Sequence, residues 1–293
     1  IRSRDKSTAL GGDNRAGAAV VLLAALTILR HKLPHPPLTL FWPVQEEVGL
    51  VGARYVSLSK LGRPRLCFNF DGGAPQVAVI GATGAEHLEI TIDGLASHAG
   101  AHPEQGISAA VIAARAIQDL TSEGWHGLVQ NGSATGTSNV GTVQGGAATN
   151  VVLDRLRLTA ECRSHDPEFR ARIVDAYRRA FTRAAKETRN VGGECGRATI
   201  SVHHKYESFR LEESEPCVQA ALAAVRAVWE TPLTRIVNGG RDANWLTRHG
   251  LPTVTLGCGQ AAIHTVDECL DIPAFLTACR IGLRLATGTE SEP

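Results

Sequence analysis

Residues 154–164, DRLRLTAECRS, alternate without a break. Leu156, Leu158, Ala160 and Cys162 fall on one side, and Arg155, Arg157, Thr159, Glu161 and Arg163 on the other. A period of two sustained over this length demands a strand with one buried and one open face. HLEITIDG (87–94) repeats the pattern through Leu88, Ile90 and Ile92. TSNVGTVQGG (137–146) and RATISVHHKY (197–206) read as further strands. GISAAVIAARAIQDL (106–120) and PEFRARIVDAYRRAFTRAAKET (167–188) read as helices, the second opened by Pro167. The resulting order, β-α-β-β-α-β, is the split arrangement of ferredoxin-like domains.

The flanking sequence has a different grain. PLTLFWPV (37–44) is a continuous apolar run of strand length, and PRLCFNF (64–70), TRIVN (234–238) and PTVTLGCG (252–259) read as further short strands. Such runs suit strands covered on both faces. Between them, GGDNRAGAAVVLLAALTILR (11–30) is a Gly-rich loop entering a helix, and GLVGARYVSL (49–58) is a short helix. PCVQAALAAVRAVWE (216–230) and DIPAFLTACRIGLRLAT (271–287) are further helices, and GGRDANWLTRHG is a loop and helix. Short buried strands alternating with helices imply an α/β sheet with helices on both faces. The expected organisation is therefore an α/β domain from residues 1–82 and 206–293, interrupted by a ferredoxin-like domain at 83–205. A chain of 293 residues is long enough for both.

Composition narrows the function. A formal net charge of +1 carries no electrostatic footprint for nucleic acid or an acidic membrane surface. The longest apolar run, around Ala16–Leu29, is short for a membrane span and is followed by Arg30, His31 and Lys32. Seven cysteines, without a CxxC pair, read as free thiols of a cytoplasmic protein and give no cysteine zinc site. The sequence contains no Met and begins at Ile1, so a preceding N-terminal part is expected.

The acids are placed where ligands bind in open α/β sheets, beyond the carboxyl ends of the strands. Glu46 and Glu47 follow the run at 37–44, Asp71 follows 64–70, and His264 lies just beyond 252–259. Asp13 sits on the Gly-rich loop. Taken singly, Asp13 reads better as a helix cap, Asp71-Gly72 as a turn, and Glu46, Glu47 and His264 as solvated surface groups. Together they give four carboxylates and one imidazole, a set that suits zinc, cobalt or manganese. The set exceeds what one four-coordinate zinc needs. Two cations about 3.5–4 Å apart, sharing a bridging carboxylate, would use it, with one acid left to move protons.

The motifs GGDNRAG, VQEEVGLVGA, NFDGG, SHAG, GGAATN, GGRDAN and IHTVDE, in this order and spacing, resemble peptidase T and its relatives, the co-catalytic zinc exopeptidases. That family includes acetylornithine deacetylase and succinyl-diaminopimelate desuccinylase. The resemblance runs from Ile1 to about Thr287. It implies two zinc ions per subunit, bridged by Asp13, with Glu47 and His264 on one and Asp71 on the other. It implies Glu46 as the general base. It further implies that the inserted domain dimerises, that its His98 reaches a neighbouring active site to hold the oxyanion, and that Asn150 lies close by. Arg163 matches an arginine that binds a substrate carboxylate.

The implied activity is metal-dependent hydrolysis of an amide bond in short peptides, as an aminopeptidase. Two alternatives are an N-acyl-amino-acid deacylase of the same family and a truncated, inactive dimerising relative. Two features depart from the family. It carries an HxD pair ahead of the Gly-rich loop, and no His here is followed two places later by Asp. His87-Leu88-Glu89 and His102-Pro103-Glu104 are the nearest imitations. Asn238 stands where peptidase T has arginine, and Arg241 follows the two glycines instead.

Overall fold

The computed structural model describes residues 1–228 and 231–288. These form two compact units, one from residues 1–82 together with the chain from Phe209 onward, the other from Thr83–Ser208.

In the second unit the chain runs β3 (Gly84–Asp93), α4 (Ala109–Ser122), β4 (Gly127–Asn131), β5 (Ala134–Gly145), β6 (Arg155–Ser164), α5 (Pro167–Glu187) and β7 (Arg197–Tyr206). The sheet order is β4-β5-β6-β3-β7, antiparallel throughout. Without β4 this is the ferredoxin-like order expected from the sequence. β4 is an extra edge strand in a hairpin with β5, in a segment where the sequence reading places none. The alternation sets the register: Leu88 faces Ala160, Ile90 faces Leu158 and Ile92 faces Leu156. Those side chains are buried together with Ile112 and Leu120 of α4 and with Phe169, Ile173, Tyr177 and Phe181 of α5. Each is worth about 1.5–3 kcal/mol in transfer free energy for the large aliphatic and aromatic groups. α5 begins where Pro167 stands, with the Asp166 carboxylate accepting the Glu168 and Phe169 N–H groups.

The first unit contains α1 (Gly12–His31), α2 (Val51–Arg54), α3 (Leu58–Leu61), β1 (Cys67–Phe70) and β2 (Val77–Ala82). After the insertion come β8 (Phe209–Arg210), α6 (Pro216–Ala227), β9 (Leu233–Val237) and α7 (Asp242–Arg248). The chain closes with β10 (Thr253–Leu256), β11 (Gln260–Ala261), β12 (Cys269–Leu270) and α8 (Ile272–Thr287). β10 lies between β1, parallel, and β2, antiparallel. β9 runs parallel to β2 on its other side, and β8 pairs the end of β2. All four β10 residues are buried, Thr253 and Thr255 as well as Val254 and Leu256. The last residues of the 216–230 helix expectation, Trp229 and Glu230, lie outside the described residues.

Two expectations change. β2 occupies a central place in this sheet, although the sequence reading leaves 74–82 unassigned. The expected buried strand at 37–44 instead lies outside any sheet among the described residues. Trp42 is 44% exposed and Val44 68%. A strand exists only through its neighbours' hydrogen bonds, and no described strand lies beside this segment.

α1, at 20 residues, is long and apolar enough to cross a membrane by length and composition. One side of it, Ala16, Val20, Ala24 and Ile28, is buried within the unit. Leu22, Leu23, Leu26 and Leu29 are exposed.

Candidate metal centre

Asp13 enters the site from the first turn of α1. Its neighbourhood is held by three polar side chains that the sequence reading assigns no part. Glu268, 2% exposed, accepts the N–H of Gly11 at 2.6 Å and of Asp13 at 2.8 Å. Asn14 donates to the Phe70 carbonyl at 2.8 Å and accepts from the Gly17 N–H and from Gln260. Gln260 also donates to the Gly12 carbonyl and accepts from the Gly72 N–H. Gly17 has no side chain because a Cβ there would collide with the Phe70 carbonyl oxygen. The helix start is thereby clamped to the end of β1.

His264 comes from the loop after β11, with a left-handed φ of 63°. Its Nε2 is 3.1 Å from Asp13 Oδ2 and 3.1 Å from Glu47 Oε2. The three ligand atoms all lie within 4.8 Å of one another. Glu47 is carried by the tight turn into α2, in which the Gly49 and Leu50 N–H groups donate to the Glu46 carbonyl. Two carboxylates converging on one imidazole nitrogen, with Glu47 and His264 exposed to solvent, are a group that could hold a cation.

Asp71 stands at the end of β1, its N–H donating to the Leu256 carbonyl of β10 at 2.8 Å. It is absent from the three-ligand group. Its Oδ2 lies 2.5 Å from Nη1 of Arg241, the residue that precedes α7. The expected cation ligand is thus engaged in an ion pair.

The electrostatics are those of a site with more negative charge than it can hold. Burial pushes the Asp13 carboxyl up to about 6, with Asp71 and Glu47 adding to the shift and His264 opposing it. Burial pushes Glu46 up to about 8, reinforced by Asp71, Asp242, Glu47 and Asp13. Asp242, not singled out from the sequence, is raised to about 7 by burial and then by Asp71 and Glu47. Its Oδ1 is buried without a hydrogen-bond partner. A bound dication relieves such a cluster directly.

The remaining candidates lie in the second unit. His98 Nδ1 accepts the Gly100 and Ala101 N–H groups, which places the neutral ring's proton on Nε2 and makes that atom a donor. The Ala99 N–H donates to the Asn150 carbonyl at 2.9 Å, so the SHAG and TN segments are neighbours. Arg163 holds Glu161 through two hydrogen bonds, at 3.1 and 2.9 Å.

Known peptidases resemble this chain along most of its length. Residues 80–189 match the peptidase dimerisation domain of the M20 family. The chain is 32% identical over 269 residues to the uncharacterised YqjE protein of Bacillus subtilis, covering 92% of this chain and 69% of that one. The chain belongs to the M20 peptidase family. A tripeptidase structure from Staphylococcus aureus superposes with a TM-score of 0.85 at 32% identity, over 97% of this chain and 72% of that one. The aminopeptidase PepT of Bacillus cereus gives a TM-score of 0.80 at 31% identity, with the same coverage. Peptidase T of Vibrio cholerae is 24% identical over 97% of this chain and 67% of its own length.

Proposed function

We propose that this M20 peptidase removes the N-terminal residue of short peptides, with a divalent cation held by Asp13, Glu47 and His264 and with Glu46 as proton carrier. The observation that carries this reading is the convergence of two carboxylates on His264 Nε2 beside a raised glutamate. Zinc fits the oxygen and nitrogen donors, as do cobalt and manganese. When bound, the cation supplies a water of lowered pKa and polarises the scissile carbonyl. The carboxylate of Glu46 accepts the proton of the attacking water and delivers it to the leaving amine. The positive charge of the cation also favours the ionised form that Glu46 needs for the first step.

In the same reading the second unit forms a homodimer, and His98 with Asn150 meets the substrate bound by the partner subunit. The Nε2–H of His98 suits a developing oxyanion. Arg163, already fixed by Glu161, presents its guanidinium to a substrate carboxylate. All seven cysteines are unpaired, which supports a reducing, cytoplasmic setting.

The test is Glu46→Gln in the purified protein, assayed on free-amino and N-acylated dipeptides and tripeptides. The expected result is loss of turnover by at least about a hundredfold with metal content unchanged. Near-normal turnover removes Glu46 from the mechanism. Preference for N-acylated substrates turns the reading toward a deacylase. A monomer by light scattering at micromolar concentration removes the dimer and the part given to His98.

A further inference from the structure

His87-Leu88-Glu89 takes no part in the centre described above, and the fold gives it a setting of its own. It lies on β3, where Leu88, Ile90 and Ile92 turn into the core of the second unit. The period of two therefore sends His87 and Glu89 together to the open face of the sheet. On β7 the residue directly opposite His87 is His203. Its neighbour Val202 packs against the same core, so His203 also faces outward. Two imidazoles and a carboxylate from adjacent strands thus share one patch. All three belong to the second unit, whereas Asp13, Glu47 and His264 belong to the first.

The spacings suit a shared cation. His203 Nε2 is 3.7 Å from Glu89 Oε1. That is long for a hydrogen bond, whereas two ligands on a tetrahedral zinc ion stand about 3.4 Å apart. The His87 and His203 ring centroids are 6.3 Å apart, and the rings are tilted by 38°. Two imidazoles on one zinc bring the centroids to about 5 Å. Side-chain rotation on an open sheet face supplies that closure at small cost. Among the described residues no hydrogen bond commits either ring. Burial, and then Lys205, holds His87 below its ordinary pKa and so in the neutral form that ligates metal. The Lys205 charge opposes a dication, and Glu89 together with Glu161, which faces His87 from β6, offsets it.

We propose that His87, Glu89 and His203 form a separate site for a transition-metal dication of the zinc, nickel or copper class. Imidazole donors suit these ions, whereas magnesium and calcium prefer oxygen alone. A cation held there joins β3 to β7 across the sheet face and stabilises the second unit when loaded.

The experiment is equilibrium dialysis of the full chain against zinc, read as ions per chain, with copper(II) electron paramagnetic resonance as a second readout. His87→Ala and His203→Ala are each expected to hold one zinc ion fewer than the wild type. Glu89→Gln is expected to bind that ion at least about tenfold more weakly. With copper(II), the wild type is expected to show a signal split by two imidazole nitrogens that His203→Ala lacks. His203→Gln replaces the alanine variant if that one does not fold. His264→Ala, aimed at the first unit's centre, is expected to keep the ion that His203→Ala loses, so the losses add in the double variant. Wild-type zinc content in either histidine variant overturns the proposal, as does a copper signal that neither variant changes. A double variant that loses no more zinc than His264→Ala alone overturns the separateness of the site.

Discussion

Glu268 accepts two N–H groups from a helix start 255 residues earlier in the chain. The backbone at Asp13 is not helical, at φ −82° and ψ 108°, so its N–H has no helical partner and the carboxylate accepts it directly. Here it fixes the backbone from which Asp13 projects. Removing it leaves two part-buried donors unsatisfied, at about 1–3 kcal/mol each at most. Glu268→Ala is expected to lower stability by about that much and weaken metal affinity by about 10–100-fold. Urea denaturation and a metal titration check the two effects separately. Stability and affinity both unchanged would show that Glu268 does not position Asp13. The residue lies inside IHTVDE, which draws attention to His264. Nothing in the local pattern says that the final glutamate points inward.

At the scale of elements, parallel β1 and β10 bring Asp71 and the loop carrying His264 to the same edge of the sheet. The strands were largely legible because each is a short apolar run bounded by Gly, Pro or Asp. β2 escaped because VAVIGA runs almost directly into β3, so periodicity shows no break between a covered strand and a half-open one. The segment 37–44 misled for the converse reason: apolar β-forming residues express a strand only when a partner is present. In the second unit, buried Arg170 of α5 joins Glu86 of β3 at 3.2 Å and Glu207 at 2.8 Å, and His204 of β7 joins Glu86 at 2.9 Å. Breaking such a pair strands a buried charge. Arg170→Met is expected to cost about 3–5 kcal/mol, read from the urea midpoint of the unfolding transition. A shift below about 1 kcal/mol would place this network with exposed ion pairs, which contribute little.

For the whole molecule, the acidic centre couples stability to pH and metal. Glu46 and Asp242, raised to about 8 and about 7, have ordinary values of 4.5 and 3.8. Between those limits the folded state binds more protons than the unfolded state, so stability falls as pH rises. The chelated protein is expected to melt at a higher temperature at pH 5.5 than at pH 8. Saturating zinc or manganese is expected to raise the melting temperature most at pH 8, because ligation competes with protonation. Differential scanning calorimetry on chelated and loaded protein decides this. A chelated protein more stable at pH 8 would show that other groups dominate.

The sequence by itself determined what depends on neighbours along the chain. Alternation in 87–94 and 154–164 specified which side chains face the core of the second unit. Pro167 marked the start of α5, and the motif set named Asp13, Glu47, Asp71 and His264 as candidate ligands. Only the tertiary structure decided what depends on distance through space. It paired Asp71 with Arg241, placed Glu268 under Asp13, added Asp242 to the acidic cluster and left 37–44 outside any described sheet. Period and propensity are local, whereas ion pairing, desolvation and strand pairing are set by groups that the chain brings together from far apart.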